Sequence, residues 1–245
     1  MWIFIVASLQ RNISSLLLAS PVIAVLSAFI ILPIILITAV SFWGASEFSI
    51  YPAFLFDNYE FLFTSEVTYR VFFRTLYFAF LVWLITLIIG FTVAYYLAFF
   101  VNSLTWQIIC FLLCTIPFWT SNIIRMISWI PFLGRNGLAN QSLIGMGIVD
   151  EPVEWLLYSE FAVCLAFVHL YTLFMVVPIF NTMMRIDKSL IEAARDAGAS
   201  STQILVNVII PLCKPGLMIG SIFVVALVMG DFITVRFMSG SQIAN

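Results

Sequence analysis

Long apolar runs alternate with short charged islands along the 245 residues of this chain. A bilayer crossing needs about 20 mostly apolar residues, and five stretches qualify: about Ile13 to Phe42, Thr75 to Phe100, Leu104 to Trp119, Phe161 to Phe180 and Leu217 to Val235. The first follows Arg11 and is longer than the roughly 7 to 15 residues of a signal-peptide core, so it predicts a retained helix. No charged residue lies between Arg74 and Arg125, which leaves room for two helices joined by a tight turn at Val101, Asn102 and Ser103. Each run is apolar all round, as a helix in lipid must be. Pro21, Pro33, Pro117 and Pro178 fall within or at the ends of these runs and predict kinks. The expected fold is all-α: a polytopic membrane helix bundle over residues 1–245, in one domain without internal repeats.

One charged island stands out, residues 189–216, SLIEAARDAGASSTQILVNVIIPLCKPG. It carries Glu192, Arg195, Asp196 and Lys214, with Arg185, Asp187 and Lys188 just before it. Ser189 followed by Glu192 has the capping-box spacing and predicts a short helix from Leu190. Ala193, Ala194 and Ala197 propagate that helix, and Gly198 is a natural left-handed stop. Ser200 with Gln203 repeats the capping pattern and predicts a second helix running towards Pro211. Leu190, Ile191, Ala194 and Ala197 supply an apolar face, and Asp187, Lys188, Arg195 and Asp196 a charged one, so the element suits docking. Taken singly, Glu192 is only a capping residue and Gly198 only a helix stop.

Composition narrows the class. A soluble domain is roughly 25% charged; this chain is 9% charged and 63% hydrophobic, with 25 Phe, and its mean hydropathy is +1.14. It is an integral membrane protein. A net charge of -2 does not fit a nucleic-acid partner, and the lone His169 offers little for metal binding. The cysteines, Cys110, Cys114, Cys164 and Cys213, read as small apolar packing residues. No G-x-x-x-x-G-K-[ST] loop is present, so the chain does not hold ATP by that chemistry. Orientation stays open on charge alone. Arg11, Arg185, Lys188, Arg195 and Lys214 lie on one side, and Arg70, Arg74, Arg125, Arg135 and Arg236 on the other, a tie at five each. The second side also carries the acidic Glu47, Asp57, Glu60, Glu66, Asp150, Glu151, Glu154 and Glu160.

Among intramembrane polar residues, Asp231 is the most informative. An unpaired carboxylate towards a helix centre costs about 2.5 to 3.5 kcal/mol, so it should face a bundle interior, a water path or a cation. A structural role near the outer end of the fifth span is the alternative. Arg236 is five residues on, about 140° round one helix at 3.6 residues per turn, so the two look towards different neighbours. Arg125 and Trp129 read either as interfacial anchors or as path residues. Tyr171 and His169 read as packing. Two other classes stay in view: an ion-coupled transporter, for which no paired Gly-interrupted segments are visible, and an intramembrane enzyme, for which there is no cluster of nucleophile, base or ligands.

Glu192-Ala193-Ala194, three residues, Gly198, nine residues, then Val208-Ile209-Ile210-Pro211 resembles the EAA motif of permease subunits of ATP-binding cassette importers. Val208 and Ile210 stand where the motif has Ile and Leu. Residues 116–143, IPFWTSNIIRMISWIPFLGRNGLANQSL, with Trp119, Arg125, Trp129, Gly137 and Asn140 in order, resemble permeases of the spermidine and putrescine type, as does MGDFITVRFMSG at 229–240. The likeness runs from about Ser14 to the C-terminus. It implies a cytoplasmic coupling loop at 181–215, in which Leu190, Ile191, Glu192, Ala193, Ala194, Arg195, Asp196, Gly198 and Ala199 meet an ATPase subunit. It further implies a cytoplasmic N-terminus in a bacterial inner membrane, two ATPase subunits that bind the ATP, a second permease subunit and an extracytoplasmic solute-binding protein. This chain then has no cofactor and no catalysis of its own. The expected cargo is a small polar solute, most simply a polyamine, or else another amine, opine or zwitterion, with Arg125, Trp129, Asp231, Phe232 and Arg236 as path candidates. The family carries an acidic residue near the place of Arg236, and its sixth helix is expected beyond Asn245.

Overall fold

Helix α1 (Trp2–Val40) is the first element, and its stretch Leu18–Val40 is long and apolar enough to cross a membrane. Its side chains are almost all exposed, as a surface facing lipid requires. This computed structural model describes residues 2–45 and 49–240, with side chains at 18–44 and 49–240; Glu47 and the segment past Gly240 lie outside the described residues. The chain forms two compact units, Met1–Tyr69 and Arg70–Asn245. In the first, α1 leads to a two-residue antiparallel ladder, β1 (Gly44–Ala45) against β2 (Ile50–Tyr51), with Gly44 opposite Tyr51. The Tyr51 ring lies where a Cβ on Gly44 would sit, so any other residue there would have to displace that ring. Helix α2 (Asp57–Thr64) follows. Asn58 donates to the Ser41 and Trp43 carbonyls at 2.9 and 3.0 Å, and Phe42 stacks on Phe54 at 4.9 Å. This ladder is the one addition to the all-α expectation among the described residues.

The second unit is a helix bundle built around one central span. Helix α3 (Glu66–Phe99) is followed by a turn and then α4 (Leu104–Thr115). Buried Gln107 fixes that turn by donating to the Val101 carbonyl at 2.7 Å. A 3-10 turn, Ile116–Trp119, ends α4, and α5 (Asn122–Leu133) leaves at 88°. The stretch 104–119 is therefore not a straight crossing by itself; with α5 and α6 (Leu138–Gly145) it forms one bent pair, with the geometry of a broken span or a re-entrant loop. Pro117, which lacks an N–H, and extended Thr120 account for the break. Four helices are long and apolar enough to span, five if the bent pair counts as one. Gly137 and Asn140 hold the loop after α5. A Cβ on Gly137 would sit 2.4 Å from the Phe132 carbonyl, while buried Asn140 accepts from the Val153 amide at 2.7 Å.

Helix α7 (Glu160–Met183) is the central element, capped by Ser159. Buried Val163, Phe167, Leu170, Met175 and Ile179 form much of the core. After it come α8 (Lys188–Asp196), α9 (Ser201–Ile204), a π turn (Leu205–Ile209), α10 (Ile210–Gly230) and α11 (Phe232–Met238). The helix expected to end near Pro211 instead runs into the last described span, so that Ser201–Gly230 is one crossing. Pro211 cannot donate to the Asn207 carbonyl and its ring would crowd it. The turn just before it is widened, the Ile210 amide reaching Leu205, and the chain passes the proline without breaking. Helices α7 and α10 pack closely because Gly216 and Gly220 present no side chain: a Cβ on Gly216 would lie 2.6 Å from the Pro178 carbonyl, and one on Gly220 2.8 Å from Met175 Sδ.

The far end of that span corrects the sequence reading. It was expected to continue to Val235, with Asp231 and Arg236 on one helix. The helix stops at Gly230; Asp231 leaves helical geometry (φ -98°, ψ 88°) and becomes the N-cap of α11. Aspartate favours that role because its carboxylate takes up a free amide of the next helix. Broken helices are thus present, at 119–122 and at 230–232, where the sequence showed none.

Candidate functional site

Two places in the second unit gather the polar residues, one at each end of the run Ser201–Gly230. The first is the coupling-type loop. Helix α8 begins one residue before Ser189, and its cap is Asp187, whose Oδ1 accepts from the Ser189 amide at 2.9 Å. The expected Ser189–Glu192 box is therefore not the cap: Asp187, two residues earlier, takes the free amide first, and Ser189 is left inside the helix. That amide bond holds the Asp187 carboxyl below its ordinary value. The stop is as expected. Gly198 has φ +83°, its amide reaches the Arg195 carbonyl at 2.9 Å, and the Ala199 amide reaches Ala194 at 3.0 Å, the paired bonds of a Schellman turn. Ser200 and Gln203 then form a complete capping box, with bonds of 2.8 and 3.3 Å.

Two turns of α8 thus sit between a carboxylate cap and a glycine stop, which fixes its direction on the bundle. Ile191 and Ala194 pack against the core, together with Ile186 and Ala199. Leu190 is 47% exposed, and Glu192, Ala193, Arg195, Asp196, Ala197 and Gly198 are exposed too. The inner face is therefore narrower than Leu190, Ile191, Ala194 and Ala197, because positions 190 and 197 lie on its edge, about 70° and 90° from the middle of the Ile191–Ala194 seam. The loop offers outward a surface of mixed charge with one leucine.

The second place is the break at Asp231. Its Oδ1 accepts from the Thr234 amide at 2.9 Å, and its Oδ2 from the Thr234 hydroxyl and the Tyr171 hydroxyl, both at 2.6 Å. Tyr171 is 3% exposed and stands near the midpoint of α7, roughly 17 Å from either end at 1.5 Å per residue. The carboxylate is therefore tied to the middle of the central span rather than to an outer end. Asp231 borders two cavities. One, of about 290 Å³, also touches Asn122, Met126, Tyr171 and Thr234. The other, of about 360 Å³, has Arg74, Phe78, Phe167 and Phe232 in its walls. Arg74 is held at 2.5 Å by Glu160.

Of the other path candidates, Arg125 is 8% exposed, and its guanidinium donates to Asn122 Oδ1 while its Nε has no partner. Trp129 donates from its indole nitrogen to His169 Nδ1 at 3.1 Å. Phe232 is exposed, and so is Arg236, on the last turn of α11. The structure brings Asp231, Phe232 and Arg74 to one cavity and Arg125 to another beside His169. Tyr171 and His169, read from sequence as packing, are hydrogen-bonded members of these walls. The Asp231-Phe232-Ile233-Thr234 spacing, a cap followed by a hydroxyl three residues on, was the available signal for Thr234; nothing in sequence pairs Tyr171 with a residue 60 positions away.

No family model matches the chain. The spermidine/putrescine transport system permease protein PotB of Escherichia coli (strain K12) is 33% identical over 215 residues, covering 87% of this chain and 77% of that protein. PotB of Haemophilus influenzae is 33% identical over 219 residues, 88% and 74% of the two chains. The inner membrane ABC transporter permease protein YdcU of Escherichia coli (strain K12) is 29% identical over 197 residues, 76% and 62%.

Proposed function

The chain belongs to the permease subunits of ATP-binding cassette transporters that include PotB, a multi-pass, non-catalytic component of the inner membrane without a cofactor, and from that premise we propose that it imports polyamines of the spermidine and putrescine class. The observation that carries this reading is Asp231, a carboxylate at a helix break beside the middle of α7, open to cavities of about 290 and 360 Å³. Irregular backbone at membrane depth is tolerated where it lines a cavity, and an intramembrane carboxylate is a natural place for an ammonium group. Phe78, Phe167 and Phe232 flank one of those cavities and suit the methylene chain and the cation alike.

In this reading residues 1–245 act as one permease domain with a cytoplasmic N-terminus. The loop at 181–215 faces the cytoplasm, and Leu190, Ile191, Glu192, Ala193, Ala194, Arg195, Asp196, Gly198 and Ala199 form or support its contact with one of two ATPase subunits. Asp231 and Phe232 face the solute, Arg125 and Trp129 border the path, and Arg236 faces a second permease subunit or the binding protein outside. The test is reconstitution with those partners in liposomes. Spermidine or putrescine should stimulate ATP hydrolysis and accumulate inside; hydrolysis stimulated by another solute and indifferent to both amines would overturn the reading.

A further inference from the structure

A further cavity, of about 310 Å³, lies between α3 and α7 and touches neither Asp231 nor Arg125. Tyr77, Leu81 and Ile85 line it from α3, and Phe161, Cys164 and Leu165 from α7. Residues four apart stand one above the other on a helix, so these two rows enclose an elongated groove. From Tyr77 to Ile85 α3 rises about 12 Å at 1.5 Å per residue, close to the roughly 15 Å that one leaflet contributes to a 30 Å hydrocarbon core. Its walls are aliphatic and aromatic, apart from the Tyr77 hydroxyl, the Cys164 thiol and Glu160 at one end.

That end carries both signs of charge. Glu160, the first residue of α7, meets Arg74, one turn before Tyr77 and Phe78 on α3, at 2.5 Å, and both side chains are partly exposed. Among the described residues this is the one bond either side chain makes. The second carboxylate oxygen and most of the guanidinium N–H donors therefore stay open. Aromatic rings set the depth. Trp155 packs edge-on against Phe161 with ring centroids 5.3 Å apart, and Trp155, Phe161 and Tyr77 are all exposed. Exposed Trp and Tyr at the end of a span belong at headgroup level. The groove thus opens among the headgroups and runs inwards among the acyl chains.

We propose that the α3–α7 groove holds one zwitterionic phospholipid of the phosphatidylethanolamine type, with its phosphate on Arg74, its primary ammonium on Glu160 and one acyl chain between the two rows. A guanidinium forms charge-assisted bonds to phosphate oxygens, and the open carboxylate oxygen accepts from an ammonium N–H. Other headgroups fit one charge and not the other. Phosphatidylglycerol brings no cation to Glu160, and the quaternary ammonium of phosphatidylcholine has no N–H to donate. The site is independent of the solute and of which way the bundle faces.

Native mass spectrometry of the assembled transporter, titrated with phosphatidylethanolamine, phosphatidylcholine and phosphatidylglycerol of identical acyl chains, tests this. The wild-type complex should retain phosphatidylethanolamine roughly fivefold or more tightly than the other two. Glu160→Gln should bring it level with phosphatidylcholine, and Leu165→Trp, which fills the groove, should remove the tightly held lipid altogether. Equal retention of the three lipids by the wild type, or a preference that survives in either variant, overturns the proposal. Should neither variant assemble, a benzophenone amino acid placed at Leu81 decides. Irradiation should join it to a phospholipid; adducts with polypeptide alone would show that protein covers the groove and would overturn the proposal.

Discussion

The Tyr171 hydroxyl donates to Asp231 Oδ2 at 2.6 Å, tying the break after α10 to the middle of α7. Tyr171→Phe removes one donor from a carboxylate that keeps its two bonds from Thr234. A hydrogen bond to a charged group contributes about 1.5 to 3 kcal/mol, so the purified complex should melt several degrees lower. Asp231→Asn keeps a good cap and should preserve assembly while raising the solute concentration for half-maximal uptake at least tenfold. Unchanged uptake in Asp231→Asn would remove Asp231 from the path.

The contact between α7 and α10 makes a graded prediction. Gly216→Ala brings a Cβ to 2.6 Å from the Pro178 carbonyl oxygen and 3.0 Å from its carbon, which is backbone and cannot swing aside. Gly220→Ala meets chiefly Met175 Sδ at 2.8 Å, the movable part of a flexible side chain. Overpacking costs about 1 to 3 kcal/mol, so Gly216→Ala should sit at the upper end of that range and Gly220→Ala at the lower. Thermal denaturation of the two variants compares them directly.

At Gly198 the cost is all backbone, since nothing lies within 4 Å of a Cβ placed there and φ is +83°. An Ala in left-handed geometry costs roughly 1 to 2 kcal/mol, Asn less, and Val more. ATP hydrolysis should accordingly become uncoupled from uptake in the order Val, Ala, Asn, with the spans still inserted. Equal coupling in Gly198→Val and wild type would show that the direction of α8 does not matter.

Asp187, rather than Ser189, should control the start of α8. Asp187→Ala should weaken binding of the ATPase subunit more than Ser189→Ala does. The Ser189 amide lowers the Asp187 carboxyl below its ordinary value, so its contribution is fully present above the unfolded value of about 3.9 and is lost as pH falls through the lowered one. Association measured from neutral pH down towards that range should stay flat until the bottom in wild type. Asp187→Asn, which caps without titrating, should remove the final drop.

Topology can be tested with an impermeant thiol reagent on intact cells, in a background lacking Cys110, Cys114, Cys164 and Cys213. Glu60→Cys and Ile148→Cys should be labelled from outside and Ser201→Cys protected. These positions avoid Asn58, which holds two carbonyls, and Gly147, which has φ +70°. Labelling at 201 from outside would invert the bundle and withdraw the docking surface.

Sequence by itself determined what depends on neighbours along the chain. Apolar runs marked the spans because lipid demands some 20 such residues in a row, and the Gly198 stop and the Ser200–Gln203 box were legible because capping acts over three or four residues. The spacing of Glu192, Gly198 and Pro211 carried the family for the same reason. Even local rules failed where two residues competed for one role: Asp187 displaced Ser189 as the cap, and a widened turn carried the helix past Pro211. Only the tertiary structure decided that the last described span ends at Gly230, that Asp231 meets Tyr171 across 60 positions, and that Arg125 is buried with its Nε unpartnered. Those relationships arise from packing between α5, α7 and α10, and in a chain apolar on every face no periodicity records which side of a helix will meet which neighbour.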